Sequence, residues 1–157
     1  MSEYSKTIEV KWADLDPNQH LRHSVYGDYA THVRVEWLAD HGFSIQRMAE
    51  LSVAPVNFED RTFYLKEIRL GDRVTVDLEL VGLSEDASRY HLRQAFYRDG
   101  EVCARHEIKG GWIDLNRRKL APPPQGLIDA TRALRKAEDF AVIPSSKPSE
   151  KESAKSV

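Results

Sequence analysis

Between Thr7 and Trp12 the apolar residues Ile8 and Val10 alternate with Glu9 and Lys11, the two-residue period of a half-buried strand. From Ala13 to His23 that alternation stops. Asp14, Asp16, Pro17 and Asn18 in this stretch either hydrogen-bond locally or fix the backbone, which predicts an irregular loop. Apolar side chains then return at a new spacing over Ser24 to His41. Val25, Tyr29, Val33 and Trp37 recur every four residues, with Leu38 beside them, predicting a long helix with one buried stripe. Gly42 suits a left-handed stop, and Ser44 to Glu50 reads as a second, shorter helix.

Val53 to Ile68 reads as extended, with Val56, Phe58, Phe63, Leu65 and Ile68 among charged neighbours and a bend or bulge expected over Asn57 to Thr62. Arg69 to Asp72 forms a turn, after which Val74, Val76, Leu78 and Leu80 alternate strictly with Thr75, Asp77 and Glu79 as a strand. A turn at Ser84 to Ala87 leads to a strand over Arg89 to Tyr97, and Asp99-Gly100 is a two-residue hairpin signal that returns the chain along Glu101 to Leu115. Pro122, Pro123 and Pro124 end that strand, and Gly126 to Lys136 reads as a short surface helix. The order predicts an α+β domain over residues 1–140, an antiparallel five-stranded sheet wrapped around one long helix. Residues 141–157, rich in Ser, Lys, Glu and Pro, are expected to form a disordered tail after Pro144.

Composition narrows the partners. The 157 residues carry 31% charged side chains yet a formal net charge of −2, which gives nucleic acid or an anionic membrane no electrostatic footing. Cys103 is the single cysteine, so an internal disulfide and a cysteine-rich zinc site are both excluded. Met1 to Val10 lacks the apolar core of a signal peptide, and no apolar stretch reaches membrane-spanning length, which points to a cytoplasmic protein. Any anionic ligand must be held by local cations; Arg61, Lys66, Arg69, Arg89 and Arg117 are available, without a phosphate-loop glycine motif.

The residues from Trp12 to Tyr29 carry the chemistry. Asp14, Asp16, Pro17, His20 and Tyr26 follow the pattern Asp-x-Asp-Pro, His four residues after the second Asp, and Tyr six residues beyond. With Tyr29, Arg34, Glu36, Trp37 and Leu38 in the helix, Gly71-Asp72, Ile113-Asp114 and Arg118-Lys119, the stretch Lys6 to Pro124 resembles the 4-hydroxybenzoyl-CoA branch of the hotdog thioesterases. That resemblance implies hydrolysis of a fatty or aromatic acyl-CoA with Asp16 as nucleophile or as general base for water, two roles that the sequence leaves open. It implies the backbone N–H of His23 as oxyanion donor at a helix start. His20 falls where it could orient Asp16, hold the water or protonate the thiolate, orientation being favoured because a thiolate leaves readily, and Tyr26 lines the acyl pocket or the loop. The family frame implies no cofactor, CoA being part of the substrate, and a homodimer or homotetramer with the site between subunits. Leu21-Arg22-His23 and Ala30-Thr31 depart from the family's usual residues, which bears on substrate choice.

Rival readings accompany each of these residues. Asp14 and Asp16 taken alone are turn or capping residues. His20 and His23 have ligand spacing but lack a third-ligand pattern, so no metal is expected. Glu36 beside Arg34 reads as structural, and Trp12 and Trp37 as core. An acyl carrier protein thioesterase and a non-catalytic acyl-CoA binding protein are the competing functions.

Overall fold

The computed structural model describes residues 1–144; the expected tail beyond Pro144 lies outside the described residues. Strand β1 (Ser5–Glu9) precedes the acidic loop, a 3-10 turn over His23–Val25 opens helix α1 (Tyr26–Asp40), and α2 (Ile45–Glu50) follows. Five further strands come next: β2 (Val53–Tyr64), β3 (Arg73–Asp77), β4 (Glu79–Ser84), β5 (Arg89–Arg98) and β6 (Glu101–Asp114). A short β7 (Lys119–Leu120), helix α3 (Gln125–Ala133) and strand β8 (Lys136–Ile143) complete the described chain.

Helix α1 is buried as its periodicity demands. Val25, Tyr29, Val33 and Trp37 are each at most 8% exposed, and each stabilises the fold by roughly 1.5–3 kcal/mol through the apolar area it hides. The first half of the helix packs with Val74, Val76 and Phe96, while Trp37 joins Leu80, Tyr90, Trp112 and Leu127. Gly42 adopts φ +87°, the left-handed stop expected after the helix. Asp99 and Gly100 both have positive φ, as the tight hairpin between β5 and β6 requires.

The α+β class and the curled antiparallel sheet around one long helix are as expected, but the sheet has eight strands rather than five. The strand read over Val74 to Leu80 bends at Leu78. There the Asp77 carboxylate takes over the ladder, accepting from the Ala95 N–H at 2.7 Å and from the Ser2 N–H at 2.9 Å. The Leu78 N–H is turned to the Ser2 hydroxyl and the Tyr4 carbonyl, so β3 and β4 run as two pieces along β5. The helix read as far as Lys136 ends at Ala133, and β8 pairs parallel to β4 up to Ile143, past the domain limit placed at residue 140. Strand β2 carries its bulge between Asn57 and Glu59, within the stretch where one was expected. Among the described residues β2 pairs with β6 alone, which makes it an edge.

Trp12 is not core. It is 80% exposed at the mouth of the acidic loop, because the strand before it stops at Glu9 and the chain turns away from the sheet. Trp37 is buried as expected.

Candidate active site

The acidic loop is a small hairpin whose shape follows from its own residues. Leu15 pairs with Leu21, and the Asp16 N–H donates to the His20 carbonyl at 2.8 Å, closing a three-residue connection. Pro17 sits where a turn wants a fixed φ, the Gln19 N–H returns to the Asp16 carbonyl at 3.0 Å, and Gln19 takes φ 63°. Oδ1 of Asp16 accepts from the backbone N–H of Asn18 at 2.8 Å and of His20 at 3.1 Å. The turn-forming reading of Asp16 is therefore satisfied by one carboxylate oxygen. Oδ2 has no hydrogen-bond donor among the described residues, and Asp16 lines the depression described below.

Asp14 has a different task. Its Oδ2 accepts from the Tyr29 hydroxyl at 2.6 Å, and its carbonyl accepts from the Arg22 N–H at 2.8 Å, so it ties the loop to the first turn of α1. Burial and the Asp14 hydrogen bond push the Tyr29 hydroxyl well above the ordinary tyrosine range, so it stays a donor. Tyr29→Phe is expected to cost about 1–2 kcal/mol and to lower turnover through a looser loop, whereas His23→Ala, which alters only an exposed side chain, should leave turnover within about twofold. Urea unfolding and initial rates check both.

Asp16, His20, His23 and Tyr26, the four residues singled out in the sequence, line one open depression of about 340 Å³. The His23 N–H opens the 3-10 turn before α1, and neither that turn nor α1 has a side-chain N-cap, so the N–H groups at this end keep their partial positive charge for a ligand. Tyr26 is packed edge-on against Tyr64 at 5.0 Å and tilted against Phe96 at 5.4 Å. Burial first, then Tyr64, Cys103 and Asp16, push its hydroxyl up to about 12, so it is protonated at neutral pH.

The imidazole of His20 lies 3.4 Å from Glu67 rather than on the Asp16 carboxylate, and it is the His20 backbone that holds Asp16. Glu67 is itself held below the usual carboxylate range by the hydrogen bond from Arg69 and the nearby His20. Tyr64 at the end of β2, with Lys66 and Glu67 just after it, completes the wall. They carry no motif; only their place beside an extended strand could have suggested them. Of the five candidate cations, Lys66 reaches this depression, and Arg69 lines a second one of about 790 Å³ with Trp12, Pro17 and Leu70 on the other flank of Asp16. Arg61, Arg89 and Arg117 border neither. Glu36 lies along α1 within the field of Tyr4, away from the loop. Among the described residues no three His, Cys, Asp or Glu side chains are grouped to hold a metal ion, and no helix is long and apolar enough to cross a membrane.

A long helix held in a curled antiparallel sheet, with an acidic hairpin at the helix's N-terminal end, is the hotdog arrangement. Residues 10–131 match the thioesterase-like superfamily, so the chain belongs to that family and is a thioester hydrolase. Solved structures agree in fold. A hypothetical protein from Staphylococcus aureus in complex with CoA is 22% identical with a TM-score of 0.76, over 95% of this chain and 90% of that one. A 1,4-dihydroxy-2-naphthoyl-CoA thioesterase from Synechocystis is 20% identical with a TM-score of 0.74, over 83% of this chain and 96% of the other. A probable thioesterase from Escherichia coli is 24% identical with a TM-score of 0.70, over 82% of this chain and 96% of that one.

Proposed function

We propose that the protein is a cytoplasmic acyl-CoA thioesterase, releasing a fatty or aromatic acid and CoA, with Asp16 as the residue that acts on the thioester carbon. The observation that carries this reading is the division of labour within one carboxylate: Oδ1 builds the loop through two backbone N–H bonds while Oδ2 takes none among the described residues, in a residue that lines the depression. The thioester carbonyl is placed with its oxygen at the His23 N–H, where the uncapped helix start stabilises developing negative charge. Asp16 then either attacks the carbonyl carbon, giving an anhydride that water opens, or takes the proton from a water that attacks directly. In both routes a C–O bond forms as the C–S bond breaks, and the CoA thiolate leaves and picks up a proton from solvent. Tyr26 and Tyr64 wall the acyl side. The His20 imidazole, paired with Glu67, steadies the loop rather than the carboxylate directly.

The CoA-bound Staphylococcus aureus structure and the Synechocystis acyl-CoA enzyme support the choice of CoA as carrier. A second copy of the chain is expected along the free edge of β2, where Phe58 and Phe63 are 53% and 47% exposed, making a homodimer the minimum unit and a homotetramer the next. The test is free-thiol release from a panel of short, long and aromatic acyl-CoAs. Release from one class at a rate far above the rest confirms the reading and names the acyl group. Release from none, with turnover of an acylated carrier protein instead, replaces CoA by that protein. Ligand retention without any turnover would make the chain a binder.

A further inference from the structure

Asp16 stands between two depressions and is the one described residue that lines both. On one flank are Tyr26 and Tyr64, the wall assigned above to the acyl group. On the other lies the larger depression of about 790 Å³, bordered by Trp12, Leu15, Pro17, Gln19, Arg69 and Leu70. The carbonyl carbon of a thioester carries two arms, one through carbon and one through sulfur. With that carbon at Asp16 and the acyl arm toward Tyr26, the sulfur arm is left the Trp12 flank.

Two apolar side chains stand open on that flank, Trp12 at 80% exposed and Leu70 at 55%. Single exposed apolar residues are ordinary on a protein surface. These two line one depression beside the candidate catalytic carboxylate, and both are set on backbone that is tied down. Trp12 begins a 3-10 turn in which the Asp14 N–H donates to the Lys11 carbonyl at 3.0 Å and the Leu15 N–H to the Trp12 carbonyl at 3.3 Å. Leu70 sits in the turn from Arg69 to Asp72, where the Asp72 carboxylate accepts from the Arg69 N–H at 2.8 Å and Gly71 takes φ +79°. The Gly71 N–H donates to the Val10 carbonyl at 3.2 Å, which fastens this turn to the strand end from which Trp12 departs. Among the described residues no aromatic ring is stacked on Trp12 and no cation lies over it.

The charges on this flank favour an uncharged occupant. Arg69 is engaged by Glu67 at 2.6 Å, and Asp16 is itself anionic, so the lining offers no excess of positive charge to a phosphate. It does offer amide partners: the Gln19 carboxamide, the Trp12 indole N–H and the remaining donors of Arg69. The pantetheine arm shared by CoA and acyl carrier proteins is of that kind, a chain of methylenes interrupted by two amides, with its phosphate only at the far end.

We infer that Trp12, with Leu70 and Gln19, is the specificity element for the thiol arm of the substrate: the neutral pantetheine chain lies along this flank, its methylenes on the indole and Leu70 and its amides on Gln19 and Arg69. The inference rests on the acyl-CoA reading above and gives each side of Asp16 one arm of the thioester. The phosphate, and the nucleotide or protein beyond it, lie outside the depression.

The test holds the acyl group fixed and varies the thiol, using the full-length protein and the best acyl group of the panel. The thiols are CoA, pantetheine, a carrier protein's phosphopantetheine, and ethanethiol, which lacks the amides. Trp12→Ala is expected to lower kcat/KM about tenfold or more for the CoA and pantetheine thioesters, through KM, and to leave the ethanethiol thioester within about threefold. Leu70→Ala should act in the same direction to a lesser degree, and Trp12→Phe should keep most of the wild-type preference. Both positions are exposed, so urea midpoints should stay at the wild-type value. Trp37 and Trp112 are each 5% exposed, which leaves Trp12 as the tryptophan that iodide can quench. Free pantetheine should protect it from iodide, and adenosine 3′,5′-bisphosphate, the other half of CoA, should not. If the carrier-protein thioester is also cleaved, Trp12→Ala should lower its rate as it does that of CoA, because both bear the same arm. A fall confined to the CoA thioester would assign Trp12 to the nucleotide. An equal fall on every thioester, ethanethiol included, or a change in subunit number by light scattering, would assign it to loop shape or to a subunit contact. Each of these overturns the inference while thioester hydrolysis stands. Cleavage of no thioester at all overturns the parent reading, and this one with it.

Discussion

Asp16→Asn is expected to lower thiol release from the best acyl-CoA at least about a hundredfold, the usual loss when a positioned acid or base is removed. Asparagine is the informative replacement because of how the carboxylate is used. Its amide oxygen can still accept from the Asn18 and His20 N–H groups, so the hairpin from Leu15 to Leu21 keeps its shape. What changes is the other atom, where an NH2 group can neither attack a carbonyl nor take a proton from water. Asp16→Ala should lose as much rate and, in addition, some stability, since it also strips the acceptor that forms the turn. The two variants together separate chemistry from loop structure: melting temperatures near wild type for the asparagine form, with turnover gone, assign the loss to Oδ2. Near-normal turnover in Asp16→Asn, with folded protein, would remove Asp16 from the centre of the mechanism.

The long helix was legible because its period is strong and uninterrupted: four residues separate Val25, Tyr29, Val33 and Trp37, and all four are buried. The Asp99-Gly100 hairpin was legible because its turn chemistry is local. Strand β8 was not, since Lys136 to Ile143 alternates weakly and is held by non-local partners, its backbone pairing with β4 and the Asp139 carboxylate gripping Arg93 at 3.0 and 2.9 Å. The break at Leu78 was equally hidden, because it depends on Ser2 and Tyr4 arriving from the far end of the chain. In the site, the grouping of Asp16, His20, His23 and Tyr26 could be read because all four lie within eleven residues. The pairing of His20 with Glu67 could not, because it is set by where β2 ends. Trp12 misled for a related reason: a tryptophan beside a strand usually packs inward, and here the strand ends three residues earlier.

Phe96→Ala should be the most destabilising of the substitutions considered. Phe96 is completely buried on β5, paired across the ladders with Val76 and Ala104, and its ring rests against Tyr26. Truncation leaves a cavity between sheet and helix, a change that typically costs about 3–5 kcal/mol, against a total stability of about 5–15 kcal/mol for a domain of this kind. The site should suffer as well, because the Tyr26 ring packs against Tyr64 on one side and Phe96 on another. Loss of the inner ring lets Tyr26 sink toward the cavity and widens the wall facing Asp16. The folded fraction of Phe96→Ala, assayed at low temperature, is therefore expected to show raised KM as well as a urea midpoint far below wild type. Phe96→Leu, which keeps most of the volume, should lose under about 1.5 kcal/mol and little activity. A Phe96→Ala protein within 1 kcal/mol of wild type would mean that the space closes by itself, and that the support of Tyr26 comes from the helix rather than from the sheet.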